Sequence, residues 1–226
     1  MRAPISVVIP TLNAEDNLPA TLLALMEGLS TGVIREVVIS DGGSTDATQK
    51  IAEDAGAVFV SGPASRGGQL RRGAEAAEGK WYLFLHADTI LSPGWSKAAE
   101  QHLETGQAGY GRLRFAAGGL AGDLVSRWAN LRSSLLGLPY GDQSLLIPAS
   151  LYDQVGGFQD IPLMEDVAMA RALRGRLRLL DYTALTSAER YQRDGWLKRG
   201  RRNLWLLMRY LNGAQPEKLA AEYRRQ

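Results

Sequence analysis

The stretch EVVISDGGSTD, Glu36 to Asp46, decides the fold. Glu36-Val37-Val38-Ile39-Ser40 is short, β-branched and nearly unbroken in its apolar run, as a strand buried on both faces of a parallel sheet is. It stops at Asp41-Gly42-Gly43-Ser44-Thr45-Asp46, where the glycines let the backbone approach a ligand and Asp41 can accept hydrogen bonds from a base or ribose. A tight turn in which Ser44 or Asp46 caps the next helix accounts for the same residues without any ligand.

Working outward, Ile5-Ser6-Val7-Val8-Ile9 reads as a second buried strand, broken by Pro10-Thr11-Leu12-Asn13. Asp16 or Asn17 then caps a helix that carries Leu18, Leu22, Leu23 and Leu25-Met26 and ends near Gly28. Downstream come a helix from about Ala47 to Ala55, a strand Val58-Phe59-Val60, a helix from about Gly68 to Ala77 and a strand Trp81 to Leu85. Alternating strands and helices predict an α/β fold with a mostly parallel central sheet covered on both faces. Ligands of such sheets bind beyond the carboxyl ends of the strands, so the loops after Ile9 and Ser40 line one crevice. After Asp88 the pattern weakens to a helix around Ser96 to Leu103, a strand Gly109 to Phe115 and the small-residue stretch 116–119.

The chain has 226 residues, 45% hydrophobic and 22% charged, which is enough apolar material for a full core and sets one domain as the prior. Cysteine is absent, so disulfides, thiolate catalysis and cysteine zinc sites are excluded, and any metal must sit on oxygen or imidazole. The N-terminal run ends at Pro10, too short for a signal peptide, and no stretch has the uninterrupted apolar length of a spanning helix. A cytoplasmic protein is expected, with peripheral attachment to the inner face of the membrane as the variant. Basic residues cluster at one end without a recognisable reading motif, which disfavours nucleic acid as a partner.

Phe84-Leu85-His86-Ala87-Asp88-Thr89 delivers two candidate ligands separated by one residue. In extended chain such a pair points to one side, so His86 and Asp88 can face a divalent ion and the diphosphate it holds. A strand ended by Asp88 or Thr89, with His86 a satisfied buried histidine, is the plainer alternative. Met164-Glu165-Asp166 opens a predicted helix, where acidic residues also serve the macrodipole alone. Tyr140-Gly141-Asp142-Gln143 reads as a turn ahead of the apolar run from Ser144 to Ile147.

The ordered set SVVIPTLNAEDNL, VVISDGGSTDAT, SRGGQLRRGAEAAEGKWYLFLHADT, GDQ and MED resembles the family 2 inverting glycosyltransferases of the GT-A fold, over essentially the whole chain. It looks closest to the short bacterial members associated with radical-SAM or selenium-domain proteins. The resemblance implies that residues 1–90 form a nucleotide-sugar-binding half, 91–188 an acceptor-side half and 189–226 a basic amphipathic segment. It places Pro10, Thr11, Asn13, Glu15, Asp41 and Gly42 around the nucleotide, with Asp41 on the base. Arg66 would lie near the base or a phosphate, although a solvated loop charge is the equal alternative. His86-Ala87-Asp88 aligns with the Asp-x-Asp signature, its first carboxylate replaced by histidine, so Asp88 and His86 become the metal candidates. Imidazole suits manganese better, which favours Mn2+ over Mg2+ as the divalent cofactor.

By the same resemblance Asp166 is the general base, its pKa raised by nearby phosphate charge, while Glu165 orients the site. Asp142 and Gln143 fall on the acceptor side, where they would bind sugar hydroxyls or support the base. The implied partners are a nucleoside-diphosphate sugar, a UDP-sugar first, and an unidentified glycan, lipid-linked or small-molecule acceptor. The rivals are a non-catalytic nucleotide- or membrane-binding relative and, further off, a nucleotidyltransferase, whose glycine-rich lysine loop is missing after the first strand.

From Asp194 to Gly213 the spacing predicts one helix with Trp196, Leu197, Leu204, Trp205, Leu207, Met208 and Leu211 interleaved with arginines. Its apolar stripe either packs on the core or rests on an anionic membrane through residues 193–212. The resemblance implies that Arg193, Arg199 or Arg202 neutralises the leaving diphosphate.

Overall fold

A computed structural model describes residues 3–224; Arg2, the single charge of the N-terminal run, and residues 225–226 lie outside the described residues. The strands are β1 (Ile5–Thr11), β2 (Ile34–Asp41), β3 (Val58–Ser61), β4 (Trp81–Phe84), β5 (Thr89–Leu91), β6 (Ala108–Phe115), β7 (Leu145–Pro148) and β8 (Leu177–Thr186). Among the described residues they form one sheet in the order β3-β2-β1-β4-β7-β6-β8-β5. The predicted α/β class is what the structure has.

The double burial expected of the first strands is explicit. Val7 and Ile9 of β1 join the cluster containing Leu18, Leu25 and Trp95, whereas Val8 joins the one containing Leu70 and Ala74. Helices α1 (Leu18–Ser30) and α4 (Trp95–His102) cover the first face, and α3 (Arg66–Ala76) covers the second. Asn17 occupies the cap position of α1, yet its side chain makes no capping hydrogen bond; Pro19 in the first turn preorganises the start instead.

β1 pairs in parallel with β2 on one side and with β4 on the other. The chain therefore leaves the end of β1 in one direction and the end of β4 in the opposite one, which opens a crevice at that switch point. The sheet is mostly parallel, as expected, and its antiparallel pairings fall in the second half. β7 enters antiparallel beside β4, with Leu145 opposite Phe84, and this brings the residues before it to the strand end that carries His86. β5 is antiparallel to β8, so Thr186 lies opposite Thr89 at the same rim.

Beyond these come α2 (Thr48–Asp54), α5 (Gly119–Leu136), α6 (Ala149–Gln154), α7 (Glu165–Ala172), α8 (Glu189–Asp194), α9 (Trp196–Leu211) and α10 (Pro216–Arg224). Helix α5 is absent from the predicted elements. The helix predicted from Asp194 to Gly213 is α9, which starts two residues later because Gly195, with φ of +85°, separates it from the unpredicted α8.

Close approach at Gly67 fixes α3 against the loop before α7: a Cβ there would sit 1.9 Å from the backbone oxygen of Gln159. Backbone cannot yield as a side chain can, so Gly67→Ala is expected to cost about 3 kcal/mol, the upper end for overpacking. Thermal unfolding should show a drop of about 6–12 °C, with Gly68→Ala losing less than half of that. At Gly68 the neighbour is the movable carboxylate of Asp160. Equal losses at the two positions would contradict this account of the α3 contact.

Candidate active site

Two cross-braced loops form the floor of the crevice. Thr11, at the end of β1, donates its hydroxyl to Asp41 Oδ1 at 2.9 Å. Asp41 also accepts the Ser44 hydroxyl at 2.5 Å and the amides of Gly43 and Ser44 at 2.7 Å each. Burial alone would raise this carboxyl, but the hydrogen bonds led by Ser44 outweigh it and hold the pKa below its ordinary value. Asn13, with φ of +50°, accepts the Thr45 amide at 2.9 Å, and Glu15 accepts that of Ala47 at 2.8 Å. The Gly42 amide donates to the Thr11 carbonyl at 2.9 Å, and Gln69 bridges the carbonyls of Thr11 and Ser40 at 2.6 and 3.1 Å.

The predicted nucleotide set therefore divides. Pro10, Thr11, Arg66, His86, Ala87 and Asp88 line a cleft of about 400 Å³. Asn13, Glu15, Asp41 and Gly42 stand behind it as loop braces, with the Asp41 carboxylate spent inside the loop.

At the end of β4 the chain leaves the sheet through His86, Ala87 and Asp88. The Ala87 carbonyl is held by the Thr21 hydroxyl at 2.8 Å. An Arg66 guanidinium nitrogen lies 3.1 Å from His86 Nε2 and 3.4 Å from Nδ1. Burial first, then Arg66 and Arg190, push the His86 pKa well below its usual value, so the ring is neutral. A metal ion at this imidazole would have to displace a guanidinium, so the structure argues against His86 as a ligand. Asp88 differs: its carboxylate has one long contact, with Thr89 Oγ1 at 3.4 Å, and opens onto two adjoining clefts. No group of three His, Asp or Glu side chains that could hold a metal occurs among the described residues. One carboxylate plus the oxygens of a bound diphosphate is nevertheless a donor set that Mg2+ and Mn2+ accept, since both keep several waters.

The second cleft, about 160 Å³, shares Arg66, His86, Asp88 and Arg190 with the first and adds Tyr140, Asp142 and Asp166. Helix α7 begins after Met164, which holds φ of +69°. That turn buries Glu165 and leaves Asp166 on the cleft wall. Asp166 Oδ2 accepts the Gly141 amide at 3.0 Å, while Oδ1 accepts that of Val167 at 2.7 Å. Glu165 faces Arg66 Nε at 3.4 Å through Oε1, and its Oε2 has no hydrogen-bond partner among the described residues. Burial pushes the Glu165 carboxyl up, with Arg66 opposing.

Asp142 lines the same cleft, as predicted for the acceptor side. Burial raises its carboxyl to about 6, against the pull of Arg132, and its Oδ1 is unpartnered among the described residues. Gln143 is a correction. It is fully buried, accepts the Ser133 hydroxyl at 2.5 Å and donates to the Gly111 carbonyl at 3.1 Å, so it ties α5 to β6 and touches no ligand space.

The arginines proposed for the diphosphate also need correction. Arg199 is buried in an ion pair with Asp194 at 2.6 Å and donates to the Tyr223 hydroxyl at 2.5 Å; Arg202 bonds the Tyr223 carbonyl; Arg193 is exposed and pairs with Asp194. Arg190 is the better placed: it lines both clefts, where Arg199 reaches the second alone, and its side chain makes no hydrogen bond or ion pair among the described residues. Nothing in the local sequence distinguishes Arg190 from its basic neighbours. Its placement follows from the end of β8, which the parallel pairing with β6 carries to the rim of the crevice.

The pattern of Glycosyl transferase family 2 matches residues 6–150. Among curated proteins, PGL/p-HBAD biosynthesis glycosyltransferases of Mycobacterium tuberculosis and Mycobacterium bovis are 38% identical over 103 residues, covering 40% of this chain. The match spans 38% of the length of those relatives. In structure, Staphylococcus aureus TarS 1-349 superposes with a TM-score of 0.62 at 19% identity, over 97% of this chain and 70% of that one. Glucosyl-3-phosphoglycerate synthase of M. tuberculosis, in complex with Mn2+, UDP and glucosyl-3-phosphoglycerate, gives 0.58 at 23% identity, over 81% and 70%. These structural likenesses establish the GT-A fold, and the match over more than half of the sequence establishes descent: the chain belongs to glycosyl transferase family 2.

Proposed function

We propose that the protein transfers a sugar from a nucleoside-diphosphate sugar, a UDP-sugar by preference, to a hydroxyl acceptor with inversion at the anomeric carbon. The observation that carries this reading is that Asp166, Asp88 and Arg190, on three separate elements, line one cleft. The donor class is supported by structural neighbours in complex with UDP and with UDP-GlcNAc.

In this mechanism an Asp166 carboxylate oxygen takes the acceptor proton as the hydroxyl oxygen bonds to the anomeric carbon. The bond from that carbon to the diphosphate breaks on the opposite face, and the nucleoside diphosphate departs. Gly141 N–H holds the Asp166 carboxylate in place. Arg66 and Arg190 supply charge to the leaving group. A divalent cation at Asp88 would add charge neutralisation there. With His86 engaged by Arg66, the imidazole argument for manganese lapses, and its remaining support is the Mn2+ in the synthase complex. Residues 1–90 carry the donor side and 91–188 the acceptor side, while the basic segment after them closes the cleft through Arg190, Tyr191 and Tyr223. Affiliation with the radical-SAM-associated members is part of the same proposal.

Thermal-shift titration with UDP-, GDP-, TDP- and CDP-sugars, each with and without Mn2+, tests it. A UDP-sugar at a hundred times its Kd should stabilise the fold by about 2.7 kcal/mol, or about 5–11 °C. Asp88→Ala should abolish the metal-dependent part of that shift. No shift with any of the four at millimolar concentration would sink the reading in favour of a binding relative.

A further inference from the structure

We propose that the exposed faces of α5 and α9 form a docking surface for an anionic lipid bilayer. On α5, Leu120, Leu124, Trp128, Leu131 and Leu135 recur at helical spacing along one stripe and are 90, 64, 54, 51 and 72% exposed. A stripe of that period normally faces a core. Here the opposite face of α5, through Ser126, Ala129 and Ser133, is the one that packs.

Helix α9 is apolar on two faces. Leu206 and Leu207 are buried, whereas Leu197, Leu204, Met208 and Leu211 form a second stripe left in water. The two helices are neighbours along their length. Gly118 and Gly122 approach the Trp196 ring so closely that a Cβ would lie 3.3 and 3.0 Å from it. Leu138, just past α5, shares a buried cluster with Leu206 and Leu207. Apolar surface on this scale marks an interaction site.

Charge selects the occupant. Helix α9 carries Lys198, Arg199, Arg201, Arg202 and Arg209 with no acidic residue, so the positive charge of the surface comes from α9, the exposed Arg127 of α5 being offset by the exposed Asp123. Arg199 and Arg209 are neutralised by Asp194 and Glu222, but Lys198, Arg201 and Arg127 are exposed and unpaired among the described residues. A two-fold contact with a second copy would set these cations against themselves. An anionic bilayer complements them, and Trp128 and Trp205 suit the headgroup layer. No described helix is long and apolar enough to cross a membrane, so the contact is an interfacial one. It does not depend on the transferase reading, because lipid binding is read without any sugar.

The test mixes the full chain with vesicles of phosphatidylcholine alone and of a two-to-one mixture with phosphatidylglycerol, followed by flotation. Binding to the anionic vesicles alone is expected. The triple variant Leu124→Gln, Trp128→Gln, Leu131→Gln should weaken the partition at least about tenfold, since three insertion anchors are lost. The double variant Lys198→Glu, Arg201→Glu should do so by a similar factor, as should high salt. All five positions are exposed, so far-UV circular dichroism and melting should be unchanged. Absence of binding to either vesicle would overturn the proposal, as would anionic binding that the triple variant leaves intact. A concentration-dependent dimer in sedimentation velocity, lost in the triple variant and indifferent to vesicles, would assign the face to a second copy instead.

Discussion

Asp166→Asn should lower kcat by about 10²–10⁴-fold, the range for loss of a positioned general base. The substitution is nearly isosteric, and an amide oxygen can still accept the Gly141 N–H that now holds Oδ2 at 3.0 Å. Melting temperature and UDP-sugar affinity should therefore stay close to those of the parent. That separation makes the experiment decisive. If turnover and donor binding fell together, Asp166 would be a structural residue of α7. If turnover were unaffected, the base would have to be sought elsewhere in the cleft, with Asp142 first, because it lines the same wall and its pKa of about 6 suits proton transfer. With Asp166 intact, turnover should drop as Asp142 on the same cleft wall is protonated, so activity is expected on the alkaline side of about pH 6.

Arg66→Met should destabilise the fold by about 2–3 kcal/mol at pH 8 and much less near pH 4.5. Glu165 is 1% exposed and faces Arg66 at 3.4 Å. Removing the arginine strands a buried carboxylate, which costs about 3–5 kcal/mol when both partners are buried. Arg66 keeps 39% of its side chain in water, which sets the smaller figure. The folded pKa of Glu165 already lies above its unfolded value of 4.5, because burial disfavours the charge. Such a carboxyl binds protons more tightly when folded, so its contribution is best below the unfolded pKa and is lost as pH rises through the folded one. Without Arg66 the folded pKa climbs further and the loss deepens. Melting curves of both proteins from pH 4.5 to 8 would show the gap widening. A gap independent of pH would mean that Arg66 contributes packing alone.

These two positions were legible to different degrees. Asp166 was reachable through the resemblance of Met164-Glu165-Asp166 to the family motif, since acidic residues at a helix start alone also serve the macrodipole. Asp88 was reachable from its place at the end of a buried strand. The Arg66 to Glu165 contact joins residues about a hundred apart in sequence, and no local pattern encodes it. The same limit explains His86: spacing put it beside Asp88, but only the packing of α3 over the end of β4 put a guanidinium against its ring. Gln143 looked like a ligand because polar residues in a turn usually face water. Its burial follows from α5, a helix whose apolar residues mark the face that does not pack.

The sequence by itself determined the alternation of buried strands and helices, the crevice at the ends of β1 and β2, and the acidic residues delivered at strand ends. These are local properties: β-branched runs, glycine turns and acidic helix starts act within a few residues of themselves. Only the tertiary structure decided that β7 runs antiparallel, that Gly195 divides the basic segment, that Arg190 lines both clefts while Arg199 is held by Asp194, and that α5 shows leucine to solvent. Each depends on which surfaces meet after the chain has closed on itself, and burial and pairing at that range are set by the whole sheet and not by the residue.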